Sequence, residues 1–400
     1  MKSRYAVVAG AGLVLFQRFA VPGTGISVVI PLVISTLGYL AYRRRLSLSP
    51  GRTVAFLIFL VTAAVGVLST PDARYSSALL ILVLWSGLVF GPSPETEADG
   101  IQANLIRGFF FSCVLAAALG SAQGLLSSTT GRMFDLSHVV PSSWLVPGYN
   151  SYYAVSGGDS WMRANGWFHL EPSFLSLYSS LCIILLARGA VKTKRGLLWA
   201  LILTSGLLSS VAVSGVVLLP IVVLSILLLK PHRAVLVMVI IGAAFLLLRE
   251  TAVATAFVDK LFEDPFTETG DVSAAARLYR PYLELIPSDF WGLLLGEGPG
   301  GARNHVDALR YEVTTPTLAK LLYEYGLIST LIFVGLVICT LARAEIDSLV
   351  AVALGFVLLI PTDGVTHPTI AGLILCVYGA GVGSRRTAEP SLRGREGVRV

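Results

Sequence analysis

The stretch from Arg163 to Tyr178 reads RANGWFHLEPSFLSLY, and in it a polar run passes directly into an apolar helix. Pro172 lacks an N–H and fixes φ, which suits the first helical turn, and Glu171 precedes it where backbone N–H groups favour a carboxylate. On the 3.6-residue period Glu171 and Tyr178 share one helix face. Glu171 can therefore cap the helix or act in catalysis, and the stretch by itself allows both interpretations.

The chain as a whole is too apolar for a soluble protein. Of its 400 residues 54% are hydrophobic and 14% are charged, and the mean hydropathy is +0.76, whereas soluble chains carry about 25% charged residues. Apolar runs of bilayer length recur from end to end, so we expect a polytopic helix bundle in lipid. The formal charge of +6 does not indicate nucleic acid as a partner, because the basic residues cluster at the ends of apolar runs.

The predicted fold class is all-α, with about twelve transmembrane helices in a single domain over residues 1–384 and a basic cytoplasmic tail at 385–400. The serines within 196–230 leave open whether that run is two short helices or one long tilted helix. No cleavage pattern follows the first apolar run, so we expect it to be retained as a span. The predicted spans are residues 5–21, 24–42, 53–70, 75–91, 105–126, 170–188, 196–211, 214–230, 233–250, 315–342, 346–360 and 365–384.

Lysines and arginines collect in alternate connections, which predicts that both termini are cytoplasmic in a multi-pass plasma (inner) membrane protein. Two long connections then lie outside, at about residues 127–168 and 251–313. The first is rich in aromatic residues, which serve as interfacial anchors or stack on sugars. Long ordered loops usually carry function, so we expect the site there.

The second loop contains two arginines, Arg277 and Arg280, three positions apart and on one face if the segment is helical. Two adjacent guanidiniums suit a dianionic diphosphate, and the alternative is pairing with nearby carboxylates. The glycines of residues 296–301 form an anion cradle or simply a tight turn.

His169 and His305 are candidate general bases. No metal-ligand spacing such as HExxH occurs, so neither a metal site nor a cofactor is expected. The four cysteines lie singly inside apolar runs and are interpreted as core residues.

Taken in order, several motifs resemble the bacterial O-antigen polymerase and ligase superfamily. They are R..G.F..EPS at the start of a span, an SG break between paired spans, AAAR...P followed by a glycine turn, and TPTLAKLLYEYGLISTLIF. The resemblance covers residues 163–342, and elsewhere it extends only to the number of spans. The order of the motifs and the topology carry it, since each motif alone is loose.

The resemblance implies a glycosyltransferase that takes a glycan from undecaprenyl diphosphate at the outer face of the plasma membrane. Arg163, Arg277 and Arg280 fall on the family's diphosphate-binding positions. Ligases of the family carry a His-Asn pair where this chain has Thr315 and Pro316, so a polymerase that makes O-antigen or exopolysaccharide is expected. Candidate contacts to the acceptor or sugar are Tyr178, Arg303, Tyr311 and Glu324.

In such an enzyme, fixed guanidiniums would stabilise the departing diphosphate, and a base would take the proton of the acceptor hydroxyl. Glu171 and His169 lie nearest to Arg163 in sequence, and His305 is the third candidate base. The expected partners are the undecaprenyl-diphosphate-linked glycan as donor and acceptor, membrane lipid, and, as candidates, flippase and chain-length regulator proteins. The alternatives are a ligase that uses another acceptor, a polysaccharide or lipid transporter without enzymatic activity, and a scaffold of the cell envelope.

Overall fold

The computed structural model describes residues 2–70, 73–92, 101–147, 162–228, 280–309, 314–344, 346–360 and 365–377. Several sequence predictions fall outside these residues. They concern Arg277, Tyr311, the span at 233–250, the basic tail at 385–400 and most of the aromatic cluster of the first long loop.

Within the described ranges the chain is mostly helical. Two short strands, β1 (Leu46–Leu48) and β2 (Phe90–Pro92), pair antiparallel, and 3-10 turns cover Ser86–Val89, Leu136–His138 and Ser142–Trp144. The helices are α1 (Lys2–Leu15), α2 (Val29–Tyr42), α3 (Pro50–Ser69), α4 (Tyr75–Trp85), α5 (Ile101–Thr130), α6 (Pro172–Ala187), α7 (Gly196–Ser210), α8 (Val213–Val216), α9 (Leu219–Leu227), α10 (Arg280–Glu284), α11 (Phe290–Leu295), α12 (Gly301–Asp307), α13 (Thr317–Arg343), α14 (Ser348–Leu359) and α15 (Pro368–Val377).

Three of the helices in these ranges, α3, α5 and α13, are long and apolar enough to cross a membrane. Seven further apolar helices of 10–17 residues accompany them. Large hydrophobic side chains on α3 are open to the surroundings, with Val61 63% and Leu68 83% exposed, as expected of a helix surface that faces lipid. The structure thus confirms a mostly α-helical fold with helices long and apolar enough to span a membrane, and the number of about twelve spans stays a prediction.

The structure divides residues 196–228 into separate helices. Helix α7 ends at Ser210, because Val211 adopts a left-handed conformation with φ 43°. Here the backbone packs closely on α6: Ser176 Oγ donates to the Ala212 carbonyl at 3.0 Å and Ser180 Oγ to the Gly215 carbonyl at 3.1 Å. These side chains satisfy carbonyls that the interrupted helix leaves open. The run is therefore broken into α7, the short α8 and α9, and is not one long helix.

Helix α1 ends at Leu15, earlier than the predicted span, which extends to residue 21. Its early end lets Arg18 leave the helix and bind Asp135 of the first long loop, and it lets Gln17 bind His169 just after that loop. Helices α1 and α5 cross where Gly10 lies on the Leu105 carbonyl and Gly108 on the Val7 carbonyl. Small residues permit this close backbone approach, which is typical of membrane helix pairs.

Side-chain contacts show which helix termini lie together at each of the two ends of the bundle. At one end the antiparallel β1–β2 pair lies beside the start of α3 and the end of α13. Arg52 donates there to the Phe90 carbonyl, and Arg343 donates to Ser49 Oγ. At the other, which we call the loop end, Lys320–Thr366 and Phe174–His367 contacts join the starts of α6, α13 and α15. The first predicted outer loop leads into α6 there, and the turn after α11 in the second loop bonds to α13. The contacts of the loop end therefore define where a site formed by both loops can lie.

Candidate functional site at the loop end

A strained turn precedes α6. In what we call the Trp167 turn (residues 165–169), Gly166 and Trp167 both have positive φ, 65° and 68°. Gly166 presses on the Ala116 carbonyl of α5 and has no room for a Cβ. For a tryptophan a left-handed conformation costs about 1–3 kcal/mol and persists only where surrounding contacts impose it.

Every backbone and indole hydrogen-bonding group of Trp167 has a partner. Its N–H donates to Asn165 Oδ1 at 3.0 Å, and its carbonyl accepts from Arg18 Nη1 at 3.1 Å. Its indole N–H donates to the Phe134 carbonyl at 3.0 Å. These bonds fix the left-handed residue from three directions.

The Arg18 side chain also forms a buried ion pair with Asp135 of the first long loop. Nη1 reaches Oδ1 at 2.5 Å and Nη2 reaches Oδ2 at 2.9 Å, while the side chains are 5% and 0% exposed. Ser137 and Asn165 donate further hydrogen bonds to the same carboxylate. Burial alone would raise the pKa of Asp135, but the hydrogen bonds and charge of Arg18, helped by Ser137, lower it to about 2.

Sequence reasoning missed this ion pair. Its partners are 117 positions apart, and no local pattern links an arginine at the end of the first apolar run to an aspartate after the fifth helix. The available signal was a charged residue close to the end of an apolar run, which is a functional hypothesis by default in a membrane protein.

His169 is fully buried at the end of the turn. Its Nδ1 lies 2.7 Å from Gln17 Oε1, and its ring contacts Tyr178 with centroids 5.4 Å apart. Burial, together with nearby His367, lowers the pKa of His169 to about 3. A general base is most effective with a pKa near the working pH, so this environment favours a structural role for His169 over proton transfer.

Glu171 stands at the N-cap of α6, and the helix begins at Pro172 as the sequence predicts. Its side chain makes no capping hydrogen bond to the backbone, and Oε2 instead accepts from Ser173 Oγ at 3.0 Å. The geometry therefore does not support the capping interpretation of Glu171, and its catalytic role stays a prediction. Glu171 and Arg163 are both partly exposed, at opposite ends of the Trp167 turn.

A second part of the loop end is a break in α13. Gly326 has φ 74° and ψ 175° inside the helix, a conformation that is essentially limited to glycine. The carbonyls released at the break accept from the turn after α11: Glu297 N–H donates to the Tyr323 carbonyl at 2.7 Å and Gly298 N–H to the Glu324 carbonyl at 3.2 Å. These two N–H groups are already bonded to carbonyls, so they do not form the anion cradle considered for this glycine turn. The bonds agree with the interpretation as a tight turn.

Buried charged residues lie just before the break. Lys320 and Glu324 are one helical turn apart on α13, and they are only 8% and 0% exposed. Lys320 Nζ reaches Thr366 Oγ1 at 3.4 Å. The neighbouring His367 packs its ring on Phe174 of α6, with centroids 4.5 Å apart. These contacts connect the starts of α6, α13 and α15.

We call this group the loop-end cluster: Gln17, His169, Tyr178, Lys320, Glu324 and His367. Neither Lys320 nor His367 is among the site residues predicted from the sequence. Each is an ionisable residue at the start of an apolar run, which is the signal that could have identified them.

Other predicted site residues lie apart from the cluster or are packed within it. Arg303 is 71% exposed and forms an ion pair with Asp307 at 3.8 Å, and Arg280 begins α10. His305 is half-buried on α12, with its ring 5.3 Å from that of Tyr323. Tyr178 is fully buried, so its ring packs the interior.

Among the residues that the structure describes, no group of three or more histidine, cysteine, aspartate or glutamate side chains could hold a metal ion. Comparison of the chain with protein-family models and with curated proteins gives no match. The geometry of the loop end and the sequence motifs are the grounds for a functional proposal.

Proposed function

We propose that this protein is a membrane glycosyltransferase that polymerises polyprenyl-diphosphate-linked oligosaccharide repeat units at the outer face of the plasma membrane. The observation that carries the proposal is the Trp167 turn, which holds a partly exposed arginine, Arg163, and a partly exposed carboxylate, Glu171, at its two ends. The Arg163 guanidinium can bind an anionic leaving group, and the Glu171 carboxylate can take the proton of an acceptor hydroxyl.

In the proposed reaction the acceptor sugar hydroxyl attacks the anomeric carbon of the donor. The bond from that carbon to the diphosphate oxygen breaks, the hydroxyl proton passes to Glu171, and polyprenyl diphosphate leaves with the bonding electrons. Arg163 would neutralise the charge that develops on the diphosphate, because a planar guanidinium binds phosphate oxygens in a bidentate manner. Arg277 and Arg280 of the second loop are proposed to bind the same group.

Glu171 is our choice for the base. Its carboxylate is partly exposed and accepts a hydrogen bond from Ser173 Oγ, and it makes no side-chain cap of the helix backbone. By contrast, His169 is fully buried with a pKa lowered by that burial. His305 lies in the second loop beside Tyr323, so it remains the second choice.

A transporter is the second candidate, and the break in α13 is the observation that favours it. Interrupted helices with buried charged residues near the break also form substrate and ion sites in secondary transporters. The two functions differ in their product, since a transporter moves lipid-linked repeat units without joining them.

The test is the chain length of lipid-linked glycan in cells with and without the protein. We expect polymer with the wild type, and single repeat units with Glu171→Gln or Arg163→Lys at matched protein level. Asp307→Asn is the control, because this exposed carboxylate lies at the same end of the bundle and its ion pair with Arg303 is at the surface, where such pairs contribute little. Normal polymer in cells that lack the protein would refute the proposal.

A further inference from the structure

We propose that Arg18 and Asp135 are positioning residues that fix the Trp167 turn and, through it, the relative placement of Arg163 and Glu171. This inference rests on the proposed function, since it assigns to the pair the preorganisation of that site. Neither residue need touch substrate.

The first argument is the geometry of the Arg18 guanidinium. One fork contacts both oxygens of Asp135 and also the Trp167 carbonyl. It thereby joins the end of α1, the loop after α5 and the turn before α6 at a single buried point. A lysine could not reproduce this, because its ammonium lacks a planar fork with two parallel donors.

The second argument is the strained turn itself. Residues in sparsely populated conformations cluster at functional sites, where the surrounding structure over-determines them. Two of the three bonds that hold the Trp167 backbone and indole come from the polar network: Arg18 binds its carbonyl, and Asn165, which is bonded to Asp135, accepts from its N–H. Loss of the ion pair should therefore release the left-handed residue.

The third argument is that side chains from other elements hold both sides of the turn. Gln123 of α5 accepts from the Gly166 N–H at 2.7 Å and donates to Asn165 Oδ1 at 3.2 Å. Gln17 binds His169 at 2.7 Å. Arg163 and Glu171 each lie two residues beyond this bonded segment, so the network limits how far apart they can move.

A stability role alone explains the pair poorly. Replacing a buried ion pair by apolar residues of similar volume is often neutral or stabilising, because desolvation of the charges offsets their attraction. The bidentate geometry beside a strained turn is what a positioning role requires, since catalytic groups must be held within fractions of an ångström.

The test compares Arg18→Lys with Arg188→Lys in purified protein reconstituted in lipid nanodiscs. Arg188 forms an ion pair with Asp347 at 2.6 Å at the opposite end of the bundle, so Arg188→Lys controls for the same substitution at an ion pair elsewhere. Per folded molecule we expect Arg18→Lys to lower kcat/KM by roughly 10²-fold and Arg188→Lys to leave it within about twofold. A purely structural role would reduce the yield of folded protein and leave kcat/KM per folded molecule unchanged.

Asn165→Ala is a second variant in case Arg18→Lys does not fold. It removes the bonds from Asn165 to Asp135 and to the Trp167 N–H while it keeps the ion pair. We expect a loss of roughly tenfold in kcat/KM. Wild-type kcat/KM in every folded variant of this turn would overturn the positioning role.

Amide hydrogen exchange separates this inference from the proposed function. In Arg18→Lys the peptide that covers residues 163–171 should exchange faster, and in Arg188→Lys it should not. If the wild type makes no polymer but this difference appears, the proposed function fails and the structural link stands. Unchanged exchange in Arg18→Lys would overturn the link whatever the activity.

Discussion

The break in α13 predicts a large difference between two Gly→Ala substitutions in the same helix. At Gly326 a Cβ would overlap the Leu294 carbonyl oxygen and lie 2.6 Å from Leu295 N, closer than real Cβ atoms come. At Gly335 a Cβ would meet nothing within 4 Å. Only Gly326 has a positive φ, 74°, so only there does alanine also suffer backbone strain.

The magnitudes follow from these two terms. The left-handed conformation costs alanine about 1–3 kcal/mol, and displacing the turn after α11 costs roughly 1–3 kcal/mol more. Gly326→Ala should therefore destabilise the protein by about 3 kcal/mol or more. Gly335→Ala should be neutral or stabilise it by roughly 0.5–1 kcal/mol, because alanine is the better helix former.

Thermal unfolding of the two purified variants in the same detergent measures this difference. By the entropy of unfolding of globular proteins, about 3 kcal/mol corresponds to a fall in Tm of roughly 4 °C for a chain of this size. The reasoning is refuted if Gly326→Ala and Gly335→Ala unfold at the same temperature, since α13 would then be continuous through Gly326.

The remaining predictions concern topology, pH and the carboxylate. Ser288→Cys should react with an impermeant thiol reagent outside intact cells and Lys194→Cys should not, because of the Lys/Arg distribution; reversed labelling would place the site in the wrong compartment. Burial lowers the pKa of His169 to about 3, below the unfolded value of about 6.5. The folded state therefore holds His169 neutral, and the stability that this neutral side chain contributes is fully present above pH 6.5. It is lost at about 1.4 kcal/mol per pH unit as the pH falls toward 3, because the unfolded chain then binds a proton that the folded chain does not. His169→Gln should therefore show a flatter profile of Tm between pH 7 and pH 5, and equal slopes would contradict the burial argument. Glu171→Asp should retain partial polymerisation and Glu171→Gln should slow it by roughly 10² to 10⁴; equal rates in all three proteins would return Glu171 to a minor role.

Local chemistry made parts of the fold predictable. Proline at the first helical position placed the start of α6 at Pro172, and the structure begins the helix there. Apolar runs of bilayer length located α3, α5 and α13. These features depend on a few consecutive residues or on a helical period, which a single sequence displays directly.

The site was less predictable, because its contacts join distant parts of the chain. Nothing local pairs Arg18 with Asp135 or brings Lys320 to Thr366. The break at Gly326 was also hidden, since glycine is tolerated inside membrane helices and acquires a positive φ only through its partner turn. Sequence reasoning identified Glu171 and Arg163, and it could not show that a strained, bonded turn separates them.

The central claim is that the loop end joins repeat units on a polyprenyl diphosphate carrier. The most direct measurement incubates purified protein in lipid nanodiscs with a defined polyprenyl-diphosphate-linked repeat unit and resolves the products by mass. The account predicts products of two or more repeat units together with free polyprenyl diphosphate, and neither product with Glu171→Gln. Unchanged single repeat units with the folded wild-type protein, accompanied by their movement across the membrane of sealed vesicles, would contradict the claim and identify a transporter.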